Sequence, residues 1–70
     1  MNLFQIHQEF NWVNKTLFSS KTEKHIEGCI NLFNNFMNKW CFEMTEDLKI
    51  TFNRDFNKNC LSHMENILSL

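Results

Sequence analysis

The sequence predicts an all-α fold, a small three-helix antiparallel bundle running up, down and up. Three observations carry the expectation. Apolar residues recur at three- and four-residue spacing in three stretches, there is one glycine and no proline, and Ser/Thr residues followed by acidic ones separate the stretches. Seventy residues suit one small unit, and 43% hydrophobic content with eight Phe and two Trp is enough for a core. Without proline or glycine punctuation, sheet turns have little to form from.

The first helix is expected over residues 2–18. Leu3, Ile6, Phe10, Val13 and Leu17 are spaced three, four, three and four, which places all five on one stripe. The second is expected over 21–44, where Ile26, Ile30, Phe33, Met37, Trp40 and Met44 repeat the pattern and Cys29, Phe36 and Cys41 widen it. Ser20 followed by Glu23 fits a capping box at its start. Thr45 before Glu46 and Asp47 reads as the next N-cap, with two acids in the electropositive first turn. The third helix is expected over 46–69, with Phe52, Phe56, Cys60, His63, Ile67 and Leu70 as its stripe and Leu48 and Met64 alongside.

One competing pattern is the alternation from Leu48 to Asn53, which an exposed strand would share. No second strand is available to pair with it, so the helix is preferred. Three helices joined by short turns lie antiparallel to their neighbours.

Composition excludes several functions. Seven basic against eight acidic residues leave no clustered cations to hold phosphates, which disfavours a nucleic-acid partner, and no helix presents a basic face. The longest apolar run is Trp40-Cys41-Phe42, far short of the ~20 residues of a membrane span. Met1 to Glu9 lacks the charged and apolar regions of a secretory signal, and three cysteines are an odd set for a disulfide scaffold, so a cytoplasmic setting is expected. Eleven asparagines, and six lysines against one arginine, are the composition of an AT-rich genome, as in a low-GC bacterium, its phage or a parasite.

The sharpest chemical constellation is His25-xxx-Cys29 with Cys60-xx-His63. Each pair occupies one helical face, and the pairs are nearly equidistant from the turn at Thr45, so an antiparallel hairpin would set them at one height. Two Cys and two His would suit tetrahedral zinc, which makes a zinc-stapled domain the alternative reading. Against it, the spacing is not that of a zinc-finger knuckle, and Cys29 and Cys60 also fit as small core residues. A Cys29 to Cys60 disulfide is a further alternative, disfavoured in a reducing cell. Thiol catalysis has no support beyond proximity, because all three cysteines lie on apolar stripes and no glycine-rich turn offers an oxyanion hole. No cofactor motif is present, and no enzymatic activity is expected.

Apolar residues that fall off the stripes are more informative. At about 100° per residue, Trp12 projects opposite the first stripe and Phe42 away from the second. In the third helix Ile50, Leu61 and Leu68 form a second apolar row. These five residues, Trp12, Phe42, Ile50, Leu61 and Leu68, are the expected partner-binding set. The expectation is a small interaction module, an adaptor, inhibitor or assembly subunit such as mobile elements carry, that binds another protein or pairs as a homodimer.

Overall fold

A computed structural model describes residues 3–68. It consists of α1 (Leu3–Phe18), α2 (Glu23–Trp40) and α3 (Glu46–Leu68), and there is no strand among the described residues. The all-α three-helix bundle expected from periodicity is the fold observed. Leu48 to Asn53, the stretch that alternates like a strand, is helical.

The contacts fix the topology. Phe10 meets Phe52, Asn59 Nδ2 donates to Asn14 Oδ1 at 3.1 Å, and Phe18 lies edge-on to His63, so α1 and α3 run in the same direction. Glu9 reaches Lys39 and Ser20 reaches Cys29, so α2 runs against both. The result is an elongated bundle of 42 × 17 × 17 Å.

Each helix buries the face its sequence marks. Ile6, Phe10, Val13 and Leu17 of α1, Ile26, Phe33, Phe36 and Trp40 of α2, and Phe52, Phe56 and Cys60 of α3 form one core. Its centre is aromatic. Phe33 stacks on Phe56 with centroids 4.1 Å apart, and Phe10 packs on Phe52 at 4.3 Å while touching Phe36. Offset and tilted ring pairs of this kind add about 0.5–1.5 kcal/mol each beyond the area they bury. Five phenylalanines therefore form the middle of the core, with Ile6, Val13, Leu17 and Ile26 packed in the same cluster.

The expected boundaries need two corrections at α2. Its N-cap is Thr22, not Ser20: Thr22 is extended (φ −135°, ψ 160°) and its hydroxyl accepts from the His25 amide at 3.2 Å. Ser20 is instead buried, and its amide and hydroxyl donate to the Leu17 and Thr16 carbonyls, satisfying acceptors that the end of α1 leaves open. At the other end, α2 stops at Trp40 rather than 44. The Glu43 and Met44 amides both turn back to the Trp40 carbonyl, and this turn swings Met44 into the core. α3 then opens as expected, with the Thr45 hydroxyl accepting from the Leu48 amide at 3.2 Å and Glu46 and Asp47 in the first turn.

Two core assignments also change. Ile30 lies 38% exposed, because α2 is rotated so that Cys29 and Phe36 face inward in its place. Leu3, at the outer end of α1, is exposed as well. Leu70 and Ser69 fall outside the described residues.

Candidate functional site

The residues with chemical potential sit at the end of the bundle where α1 turns into α2. His63 Nε2 donates to the Ser20 carbonyl at 2.6 Å, which fixes the proton on that nitrogen. The Ser20 hydroxyl spends its one proton on Thr16, so the Cys29 thiol, 3.3 Å away, donates to the Ser20 oxygen. Cys60, one turn before His63, is buried, and burial together with the nearby Cys29 raises its thiol above the ordinary cysteine range. This is a satisfied polar seam through an apolar core. Ser20 engages the Cys29 thiol and His63 Nε2, and the Cys60 thiol, held protonated by burial, is a poor nucleophile.

The expected zinc set is not assembled. His25 is exposed on the α1 side of α2, whereas His63 is turned to Ser20, and no three metal-binding side chains converge among the described residues. Cys29, Cys41 and Cys60 are free thiols, so the Cys29 to Cys60 disulfide is not formed. Height along the hairpin brings Cys29 and Cys60 together, but helix rotation sends the two histidines to different neighbours.

A second feature lies between α1 and α2. Glu9 accepts from Lys39 Nζ at 2.7 Å and from the indole N–H of Trp40, tying the two helices together. Lys39 and Trp40, in that order, hold the Glu9 carboxyl below its ordinary value of 4.5 against the opposing effect of burial. Immediately beside this clamp is a groove of about 220 Å³ lined by Trp12 and Val13 from α1 and by Leu32, Asn35 and Phe36 from α2. It continues past Leu32 into a wider, shallow trough bordered by Thr16, Ser19, His25, Gly28 and Cys29. Gly28 faces open space there, with no atom within 4 Å of the position a Cβ would take.

All five residues singled out from the sequence are on the surface: Trp12 is 56% exposed, Phe42 100%, Ile50 60%, Leu61 65% and Leu68 67%. They do not make one patch. Trp12 forms the rim of the α1/α2 groove, Phe42 stands alone at the α2–α3 turn, and the other three line the outer face of α3. Sequence reasoning missed Phe4, which is 77% exposed, although the projection that turns Trp12 outward applies to it equally. It also missed the Glu9–Lys39 clamp, for which no local signal exists because the partners are thirty residues apart.

Comparison with protein-family models, with curated proteins and with solved structures gave no match. No helix among the described residues is long and apolar enough to cross a membrane.

Proposed function

We infer that this protein is a non-enzymatic interaction module whose α1/α2 groove receives a side chain or short helix of another protein, with Trp12 as the main contact. The observation that carries this reading is Trp12 itself. A half-exposed indole at the rim of an apolar groove, next to a salt-bridged Glu9 and Lys39, has the make-up of a binding hot spot: an aromatic anchor, an adjoining cavity and a polar border. Within its own chain this indole is only partly covered, and a large apolar side chain left in water gives up about 1.5–3 kcal/mol of burial that a partner could supply.

The remaining chemistry supports a binding role over a catalytic one. Cys29 and His63 are tied to Ser20, Cys60 is buried, and no group of three His, Cys, Asp or Glu side chains converges among the described residues. Three free cysteines fit a reducing, cytoplasmic setting.

The test is affinity capture from lysate of the parent organism, read by quantitative mass spectrometry for wild type and Trp12→Ala in parallel. The reading expects a partner whose recovery falls about tenfold or more in the alanine variant, the loss typical of a hot-spot aromatic. Equal recovery by both proteins removes Trp12 from the interface, and no specific capture by the wild type removes the module reading.

A further inference from the structure

The outer face of α3 carries a pattern that neither the core nor the α1/α2 groove uses. At about 100° per residue, Ile50, Leu61 and Leu68 fall within about 20° of one another and about 130° away from the inward face of Phe52, Phe56, Cys60 and His63. Arg54, Lys58 and Glu65 lie along one flank of this row, all exposed. Among the described residues Lys58 and Glu65 have no ion-pair partner, and Arg54 has only an exposed contact of 3.7 Å with its neighbour Asp55.

The geometry points to a second copy of this chain as the occupant of that face, with the two α3 helices antiparallel about a two-fold axis near residue 60. This rests on the reading that the apolar exterior serves docking, and it names the partner of the α3 portion. In such a pair, residues meet where their numbers sum to a constant. With the axis near residue 60, Leu68 of the partner subunit comes within about one helical turn of Ile50, and Leu61 within about one turn of Leu61 of the partner subunit at the centre. The two-fold also matches flank to flank. Arg54 and Lys58 therefore face Glu65 of the partner subunit, and symmetry repeats the arrangement at the other end.

Charge selects this arrangement over the obvious rival. A parallel pair would turn this flank of one copy to the opposite flank of the other, where Asn53, Asn57 and Met64 lie, so Arg54, Lys58 and Glu65 would gain no ion pair. The antiparallel pair converts the same six charges into attractions. One helix face about 27 Å long covers less than the roughly 800 Å² per partner of a standard interface, so the association is weak, concentration-dependent and sensitive to salt.

Sedimentation equilibrium of the full chain from about 5 µM to about 500 µM reads the effect. Wild type is expected to pass from monomer to dimer across that range. The variants Arg54→Glu/Lys58→Glu and Glu65→Lys each present one sign along the flank, and each should weaken self-association about tenfold or more. Mixed in equal amounts, the two variants are complementary at every position and should associate at least as well as wild type. Circular dichroism confirms that each variant is folded. Should either variant lose helicity, wild type alone at low salt and at about 1 M salt supplies the answer, since the expected dimer weakens as the ion pairs are screened.

A wild type that stays monomeric throughout, a dimer indifferent to both variants, or a mixture that fails to associate overturns the proposal. None of these outcomes bears on Trp12, which lies on α1, so the capture experiment judges the groove separately.

Discussion

Replacing Glu9 separates the two jobs of its carboxylate. One oxygen pairs with Lys39, whose side chain is 56% exposed, and the other accepts from the indole of the buried Trp40. An ion pair this open is worth about 0.2–1 kcal/mol. Leaving the half-buried indole N–H without an acceptor costs more, about 1–3 kcal/mol. Glu9→Gln keeps an amide oxygen for Trp40 and loses only the charge, so a loss near the lower figure is expected. Glu9→Ala loses both and should fall by about 2 kcal/mol in total. Urea unfolding followed by far-UV circular dichroism at neutral pH measures the three proteins.

The pH dependence supplies the sign. Lys39 and Trp40 hold the folded Glu9 below its value in the unfolded chain, so the ionised carboxylate favours folding. The advantage of wild type over Glu9→Gln is therefore complete above pH 4.5 and shrinks as pH falls through the depressed folded value. Equal losses for Gln and Ala, or an advantage that grows on acidification, would refute the assignment of the clamp.

Other consequences follow from single residues. Thr22→Ala should cost about 1 kcal/mol by removing the α2 N-cap, and thermal unfolding reads it. Gly28→Ala should stabilise by about 0.5–1 kcal/mol, because the glycine lies within α2 and an added methyl meets open space; a loss in chemical denaturation would show a close approach where the structure has none. In a thiol-labelling time course Cys41, which is half-buried, should react in the native state, whereas Cys29 and Cys60 should wait for unfolding. Fast labelling of Cys60 would contradict a buried, protonated thiol.

Much of this architecture was legible because the bundle is built from local signals. Spacing marked Phe10, Phe33, Phe52 and Phe56 as inward, and Thr45 announced α3. What was not legible depended on how the helices rotate against one another. Ser20 with Glu23 and Thr22 with His25 offer alternative caps two residues apart. The choice fell to Thr22 because Ser20 was drawn into the core to close α1 and meet Cys29 and His63. Met44 continues the periodicity of α2 in sequence yet reaches the core through a turn.

The same distinction governs the candidate sites. Distance from the Thr45 turn sets height and is countable, which is why Cys29 and Cys60 were correctly placed as neighbours in the core. Facing depends on rotation, which spacing within one helix does not report, and the proposed zinc ligands parted on that ground. Trp12 was readable as exposed from α1 alone. Its groove was not, since Leu32, Asn35 and Phe36 come from another helix.

Hydroxyl-radical footprinting at low and high protein concentration, with oxidation read at single side chains by mass spectrometry, tests the whole account at once. Trp12, Phe42 and Leu61 should oxidise quickly in dilute solution while Phe10, Phe33 and Phe56 stay protected, and on concentration Ile50, Leu61 and Leu68 should become shielded with Trp12 still reactive. Oxidation of Phe33 and Phe56 as fast as Trp12 would contradict the aromatic core, and Ile50, Leu61 and Leu68 equally reactive at both concentrations would contradict the pairing of α3.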